Sequence, residues 1–212
     1  MDKKNQHYST QLPDVRLKIY SVPESLKHHL YLFKTVTGIF SFKQLDLGTK
    51  VFIEHMIIPE NQCVLLDLGC GYGSIGIVLA QVTPKSTVYL TDVNKRALWC
   101  ARENIKYNLS ESSGKAIVLE GSYFKPFENK KIKFDGIYIN PPLRNGRREF
   151  LTLCENIPRY LKPKGLFQFV IRKKMGAEYV YNYLNNNFSD KFEIIKVNFR
   201  RSGYWIFYLM SI

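Results

Sequence analysis

The sequence predicts an α/β fold in which a mostly parallel sheet of about seven strands, with helices on both faces, ends in an antiparallel hairpin. Three observations support this prediction. From residue 63 onward, short apolar runs alternate with segments of helical length and periodicity. A glycine-rich turn follows the first of these runs. Only residues 199–203 separate the last two runs, a connection short enough for a hairpin.

This alternation divides the chain into an N-terminal lobe, residues 1–62, and a core domain, residues 63–212. In the lobe, alternating residues at 15–20 and 30–36 favour a β-hairpin with Pro23 between its strands, and residues 50–56 suit a short helix. We expect this small β-containing lobe to cover one mouth of the sheet. In the core domain the predicted strands are 63–67, 86–91, 116–120, 134–139, 165–171, 191–198 and 203–210, and the predicted helices are 74–82, 94–108, 147–161 and 176–187.

The composition argues against several classes of protein. No apolar run approaches the length needed to cross a bilayer, and the polar stretch at residues 1–6 lacks the apolar centre of a signal peptide. The four cysteines show no C-x-x-C spacing and the four histidines show no metal-ligand spacing. The sequence therefore predicts a soluble cytoplasmic protein without a disulfide framework, a bound metal or a membrane anchor.

The charge is strongly positive and unevenly distributed. Lys and Arg number 31 against 18 acidic residues, a net charge of +13, and residues 140–212 hold 13 basic and five acidic side chains. Solubility alone would explain some excess charge, but the uneven placement favours a face that binds RNA or DNA. Several basic clusters follow predicted strands, near the strand ends where doubly wound sheets bind ligands. They comprise Arg144, Arg147, Arg148, Arg172, Lys173, Lys174, Arg200 and Arg201.

The first core strand runs into a glycine-rich turn, where a ligand can approach bare backbone and the positive end of the following helix. Residues 71–76 match the G-x-G-x-x-G pattern of dinucleotide sites. Asp67, at the strand end, instead favours S-adenosylmethionine, which has a cationic amino group that NAD lacks. Asp92, 19 residues after Gly73, can accept hydrogen bonds from both ribose hydroxyls of either cofactor. A simple turn or N-cap aspartate is the alternative explanation of Asp92.

The strand at 134–139 runs into the tetrapeptide Asn140-Pro141-Pro142-Leu143. Since proline has no N–H, the acceptors that remain are the side-chain carbonyl of Asn140 and the backbone carbonyl of Pro141. A planar amine that donates to both carbonyls would have its lone pair turned out of conjugation and directed at a methyl group. Such a reaction needs alignment more than a general base. A purely structural turn is the alternative, but the position after Asp92 favours N-methylation of a base or an amide.

On these motifs the chain resembles the class I S-adenosylmethionine-dependent methyltransferases. Within them it is similar to the small-domain type related to the small-subunit ribosomal RNA guanine-N2 methyltransferases. The resemblance covers the chain from about residue 8 to its end and implies a Rossmann-like methyltransferase sheet. It implies that residues 67–73 and Asp92 hold the cofactor and that Asn140-Pro141-Pro142-Leu143 is the catalytic turn. Residues 38–49 resemble the lead-in of this branch, so Phe40 and Thr49 would line the cofactor or base pocket.

Two positions depart from the pattern of the family. Ser122 follows the third core strand, where the family often has an acid that bonds the adenine amino group. Leu143 stands where the family commonly has an aromatic residue that stacks on the target base. The choice between target bases, and between a base and a protein amide, therefore stays open.

The predicted function is an S-adenosylmethionine-dependent N-methyltransferase that acts on RNA, with guanine N2 of ribosomal RNA as the first candidate. The alternatives are methylation of adenine N6 or a protein glutamine amide, an NAD-dependent oxidoreductase, and a non-catalytic RNA-binding protein. The predicted catalytic residues are Asn140, Pro141 and Pro142. The predicted cofactor contacts are Asp67, Gly69, Cys70, Gly71, Tyr72, Gly73, Asp92, Val93, Ser122 and Thr49. The predicted substrate contacts are Phe40, Leu143, Arg144, Arg147, Arg148, Arg172 and Lys173.

Overall fold

The computed structural model describes residues 13–60, 62–143, 146–199 and 203–212. In chain order the elements are β1 (Ile19–Leu26), β2 (His29–Val36), α1 (Leu47–His55), β3 (Val64–Leu68), α2 (Ser74–Val82), β4 (Thr87–Asp92), α3 (Lys95–Asn108), β5 (Lys115–Glu120), β6 (Phe134–Ile139), α4 (Arg148–Tyr160), β7 (Leu161–Arg172), α5 (Ala177–Phe188), β8 (Phe192–Phe199) and β9 (Tyr204–Ser211). Short 3-10 helices follow β5, at Lys125–Phe127, and β7, at Lys173–Met175.

The main sheet has seven strands in the order β5-β4-β3-β6-β7-β9-β8. Strands β3 to β7 pair in parallel, whereas β9 pairs antiparallel with both β7 and β8. The predicted fold, a mostly parallel sheet that ends in an antiparallel hairpin, is confirmed. The chain builds outward from β3 to β5 and then returns to place β6 on the other side of β3. Ligands of open α/β sheets bind beyond the carboxyl ends of the strands at such a reversal.

Two hydrophobic clusters cover the two faces of the sheet. One contains the buried side chains of the β1–β2 hairpin and of α1, α2 and α3, and the other contains those of α4 and α5. Neighbouring residues of a strand alternate between them, so that Leu65 belongs to the first cluster and Leu66 to the second. This alternation explains why the core strands are apolar throughout rather than at every second position.

The N-terminal hairpin differs in detail from the prediction. Its turn lies at Lys27 and His28, whose φ angles of 47° and 64° are those of a tight hairpin turn. The placement of Pro23 between the strands is wrong, because Pro23 lies within β1 opposite Leu32. A proline is tolerated there because β1 is an edge strand. The first strand accordingly spans Ile19–Leu26 rather than residues 15–20.

The hairpin is tied to helix α3 by two asparagine side chains that imitate a neighbouring strand. Asn104 accepts from the backbone N–H of Lys34 at 2.6 Å and donates to its carbonyl at 2.9 Å. Asn108 makes the same pair of bonds with Leu32, at 2.9 and 3.1 Å. Described residues of the lobe also share one hydrophobic cluster with the core. The division into two domains at residue 62 stays a prediction.

Helix α1 begins three residues earlier than predicted, at Leu47. Asp46 is its N-cap, and the carboxylate oxygen Oδ2 accepts from the backbone N–H of Thr49 at 2.9 Å. This bond satisfies one of the N–H groups that a helix leaves unpaired at its start, and so it fixes where the helix begins.

Candidate active site at the carboxyl ends of the parallel strands

A cavity of about 1280 Å³ opens at the carboxyl ends of the parallel strands. The segments that follow β3, β4, β5, β6 and β7 all contribute to its wall, and residues from Phe40 to Thr49 close one side. The residues predicted from sequence that line it are Phe40, Thr49, Gly69, Cys70, Gly71, Tyr72, Asp92, Val93, Ser122, Asn140, Pro141, Pro142, Leu143, Arg148 and Arg172. Residues as far as 132 positions apart in the chain, Phe40 and Arg172, thus meet in one place.

The glycine turn after β3 exposes its backbone to this cavity. Gly69 and Gly71 have φ angles of 65° and 56°, in the left-handed region that favours glycine. A Cβ atom at either position would meet no protein atom within 4 Å. Glycine is therefore required there by backbone conformation, and the space beside it is open to a ligand. The turn is held by the N–H of Cys70, which donates to the carbonyl of Thr91 at 2.9 Å.

Gly76 does not belong to the ligand cradle, although it completes the dinucleotide-like pattern. A Cβ atom on Gly76 would lie 2.6 Å from Cγ of Leu90, so this glycine allows α2 to pack closely on the sheet. The cavity wall does not include it. The last glycine of the G-x-G-x-x-G match therefore serves helix packing, as it also does in dinucleotide sites, so this glycine does not distinguish between the two cofactors.

Asp92 joins the turn after β3 to the start of α3. Its Oδ2 accepts from the N–H of Gly71 at 2.9 Å, and its Oδ1 accepts from the N–H of Asn94 at 2.8 Å. Burial raises the pKa of this carboxyl, and the backbone donors oppose the shift. Each carboxylate oxygen can accept a further hydrogen bond, and the residue borders the cavity. Asp92 is thus placed to receive a pair of hydroxyl groups.

Asp67 lies behind the glycine turn rather than in the cavity wall. The side chain is fully buried, and its Oδ2 accepts from the N–H of Gly76 at 2.8 Å. Its Oδ1 has no hydrogen-bond partner among the described residues. Burial raises the pKa of Asp67 to about 7, and the nearby charge of Asp92 adds to the shift. Its visible contact is with the first turn of α2, and a direct contact with a cofactor stays a prediction.

The raised pKa of Asp67 predicts a specific dependence of stability on pH. Burial raises the pKa of this carboxyl to about 7, whereas in the unfolded chain it has the ordinary aspartate pKa of 3.8. Its contribution to stability is therefore complete at low pH and is lost as pH rises towards 7. We expect the unfolding free energy of the wild type to fall between about pH 4 and pH 8 relative to that of Asp67→Asn. Urea titrations of both proteins at several pH values measure this, and parallel profiles would contradict it.

Asn140 is held in one orientation by two side chains from the start of α1. Its Nδ2 donates to Oγ1 of Thr49 at 2.8 Å and to Oδ2 of Asp46 at 3.1 Å. Since a carboxylate only accepts hydrogen bonds, the amide nitrogen must face Asp46 and the carbonyl oxygen Oδ1 must face away from it. Asp46 was not among the predicted site residues, although the spacing Asp46-x-x-Thr49 is that of a helix N-cap.

Aromatic side chains that the sequence analysis did not single out line the cavity beyond Ser122. Tyr123 donates its hydroxyl hydrogen to Glu149 at 2.8 Å. Phe124 stacks on Tyr160 with a centroid separation of 4.0 Å and an interplanar angle of 5°. Leu143 also lines the cavity, and like Phe124 it is mostly buried in the cluster shared with α4 and α5. The aromatic rings of the site are thus supplied by positions after β5 and by Tyr160 of α4, whereas the residue after the two prolines adds an aliphatic side chain.

The predicted basic contacts separate into three groups. Arg148 and Arg172 border the cavity, together with Lys174 of the predicted basic clusters and with Lys125 and Arg159, which the prediction did not include. Arg147 turns away from the cavity, with its guanidinium 4.5 Å from the ring centroid of Tyr179 and against Gly176. Lys173 starts a 3-10 helix and is not part of the wall. Arg144, Arg200 and Arg201 lie outside the described residues.

Within the described part of the chain, no group of three His, Cys, Asp or Glu side chains is placed to hold a metal ion. No helix there is long and apolar enough to cross a membrane.

The sheet order, its antiparallel end and the glycine turn in the cavity define the class: an S-adenosylmethionine-dependent methyltransferase with a Rossmann-like fold. The model of the methyltransferase small domain family matches residues 31–208, and the chain belongs to this family.

Three relatives illustrate the likeness. The chain is 29% identical over 202 residues to the uncharacterized protein YbxB of Bacillus subtilis, a match that covers 95% of this chain and 96% of YbxB. It is 33% identical over 169 residues to the ribosomal RNA small subunit methyltransferase C of Hahella chejuensis, covering 74% of this chain and 44% of that protein. A solved T. thermophilus 16S ribosomal RNA N2 guanine methyltransferase, in complex with AdoMet and guanosine, has a TM-score of 0.74 at 20% identity.

The structural match covers 94% of this chain and 52% of the T. thermophilus protein. The chain thus spans about half the length of the methyltransferase C relatives, whereas it matches YbxB over nearly its whole length. At 20% identity, this structural similarity is evidence for the fold alone.

Proposed function

We propose that this protein transfers a methyl group from S-adenosylmethionine to the exocyclic amine of a base in RNA, with guanine N2 of ribosomal RNA as the target. The observation that carries the proposal is the fixed amide of Asn140. Because its nitrogen is bound by Asp46 and Thr49, its carbonyl oxygen is the atom left to accept from an amine. Pro141 and the glycine turn border the same cavity, so amine and methyl donor would meet there.

The residues around the glycine turn fit S-adenosylmethionine. The open backbone at Gly69 and Gly71 would accept the methionine end, beside the uncapped N-terminus of α2, whose positive end favours a carboxylate. Asp92 would accept from the ribose hydroxyls. Val93, Ser122, Tyr123 and Phe124 would surround the adenine. When bound, the cofactor supplies an electrophilic methyl group on a sulfonium centre.

The contribution of the protein to the reaction is alignment. Oδ1 of Asn140 and the carbonyl of Pro141 would accept the two amine hydrogens, which turns the nitrogen lone pair out of the base plane. The new bond from nitrogen to the methyl carbon would form as the bond from that carbon to the sulfonium sulfur breaks, and the surplus proton of the methylated amine would be lost to solvent. The two acceptors therefore take up no proton, and both are held by backbone geometry or by fixed side-chain partners. Positioning of this kind can supply most of a rate enhancement when the reacting atoms meet at the correct distance and angle.

RNA is the proposed substrate because the positive charge of the chain and the names of similar proteins both favour it. Among the described residues, five basic and four acidic side chains border the cavity, and the chain as a whole carries a net charge of +13. Two of the relatives described above are named as ribosomal RNA methyltransferases. A protein amide is the alternative for the same catalytic turn, but it gives no reason for the strong positive charge of the chain.

Labelled methyl transfer and RNA binding test this proposal together. With labelled S-adenosylmethionine, we expect label in an unmodified 16S ribosomal RNA transcript and none in ribosomal proteins or release factors. Binding of the transcript should weaken steeply with salt, because each neutralised phosphate contributes about 0.9 to the slope of log K against log salt on a duplex. Label in protein together with a flat salt dependence would favour the amide alternative.

A further inference from the structure

The start of helix α1 is bonded to the catalytic turn through one oxygen atom. Oδ2 of Asp46 accepts from the N–H of Thr49 at 2.9 Å, from Nδ2 of Asn140 at 3.1 Å and from Oγ1 of Thr49 at 3.3 Å. Thr49 then accepts from the other amide hydrogen of Asn140 at 2.8 Å. The N-cap of the helix and the orientation of the Asn140 amide therefore depend on the same carboxylate.

We propose that Asp46 is a positioning residue that sets the rate of methyl transfer by fixing the amide of Asn140, with Thr49 as its partner. The proposal rests on the proposed function of Asn140. An asparagine amide rotated by half a turn would present its NH₂ group to the amine, and two donors cannot bond each other. Asp46 and Thr49 prevent this rotation because both of their oxygens accept from the NH₂ group.

The charge of Asp46 adds a second effect. Its carboxylate lies behind the amide nitrogen and polarises the amide, which makes Oδ1 a stronger acceptor. The amine becomes more positive as its nitrogen forms the new bond, so a stronger acceptor is favoured most in the transition state. Interactions that strengthen only there raise the rate rather than the binding of substrate.

The packing around residues 46–49 is shaped to keep this cluster in place. A Cβ atom on Gly48 would lie 2.6 Å from Cε1 of Tyr204 and 3.0 Å from Oδ2 of Asp46. Gly48 does not have a positive φ, so the requirement is for space and not for backbone conformation. The glycine lets the Tyr204 ring lie against the N-terminus of α1 on the cavity side. Tyr204 thus limits the movement of the segment that holds Asn140.

Four variants separate positioning from folding. Asp46→Ser keeps a good N-cap but its shorter side chain falls short of Asn140, whereas Asp46→Asn keeps an oxygen and removes the charge. Thr49→Val removes only the second acceptor. Asn140→Ala removes the residue on which Asp46 is proposed to act. The readouts are the single-turnover rate of methyl transfer to a 16S ribosomal RNA transcript and the Kd for S-adenosylmethionine.

We expect Asp46→Ser to lower the rate by about 10- to 100-fold, with the Kd for S-adenosylmethionine changed less than about twofold. Asp46→Asn and Thr49→Val should each lower the rate of methyl transfer by a smaller factor. In the Asn140→Ala background, Asp46→Ser should have no further effect, because its target is already absent. Lys50→Met is the matched control, since it breaks the 2.8 Å ion pair between α1 and Glu24 without contacting Asn140, and it should keep the wild-type rate.

An equal effect of Asp46→Ser in the wild-type and Asn140→Ala backgrounds would overturn the proposal, and so would a parallel loss of cofactor binding. A full rate in Asp46→Ser would overturn it as well. If Asn140→Ala itself keeps the wild-type rate, the proposed function of Asn140 fails first, and the two failures are distinguishable.

Discussion

Replacing Asn140 with alanine is expected to lower the rate of methyl transfer by about 100-fold or more. The substitution removes the side-chain acceptor that would align the amine, and it leaves the glycine turn and Asp92 unchanged. Cofactor binding should therefore stay within about twofold of the wild type. Calorimetry with S-adenosylmethionine and single-turnover transfer to a 16S ribosomal RNA transcript measure the two quantities separately.

Asn187→Ala is the matched control for this prediction. Asn187 lies exposed on α5, where its Nδ2 donates to the carbonyl of Tyr183 at 2.7 Å, far along the chain from the catalytic turn. It should transfer methyl groups at the wild-type rate. Undiminished activity of Asn140→Ala would remove the catalytic assignment of Asn140, whereas no methyl transfer by the wild type would favour a non-catalytic RNA-binding role for the chain.

Replacing Asp92 with alanine is expected to weaken the binding of S-adenosylmethionine by about 10- to 100-fold, the range that hydrogen bonds to a charged group provide. The change removes the proposed ribose acceptor. It also frees the N–H groups of Gly71 and Asn94, which hold the turn in shape. Calorimetric titration with S-adenosylmethionine, and with NAD as a second ligand, measures the effect.

Asp135→Ala provides the comparison for Asp92. Asp135 is also a carboxylate that accepts from a backbone N–H, that of Val64 at 2.7 Å, but it lies at the opposite end of the sheet. The Asp135→Ala variant should change the stability of the protein without changing its Kd for S-adenosylmethionine. Wild-type affinity in Asp92→Ala, or tight NAD binding by the wild type, would contradict the assignment of this site.

The core of the fold was predictable because its signals are local. Apolar runs of strand length, a glycine turn and the tetrapeptide at Asn140 all lie within short windows of sequence. The turn of the N-terminal hairpin was not predictable in this way, because Lys27 and His28 adopt positive φ without the Asn-Gly pair that usually marks such a turn. Pro23 was misleading because an edge strand accepts a proline that a central strand would not.

The site was predictable in its backbone features and not in its side-chain partners. Gly71, Asp92 and Asn140 border the cavity as expected. The contact of Asp46 with Asn140 was not predicted, because the two residues are 94 positions apart in the chain and no local pattern joins them. Arg147 was assigned to substrate by charge, yet its guanidinium lies over Tyr179. A charge run predicts an electrostatic surface but not the direction of each side chain.

Nucleoside mass spectrometry of the methylated RNA tests the central claim most directly. A 16S ribosomal RNA transcript is incubated with S-adenosylmethionine and either the wild type or Asn140→Ala, then digested to nucleosides. The proposed function predicts N2-methylguanosine with the wild type and none with the variant. N6-methyladenosine in its place, or no methylated nucleoside at all, would contradict the proposed function.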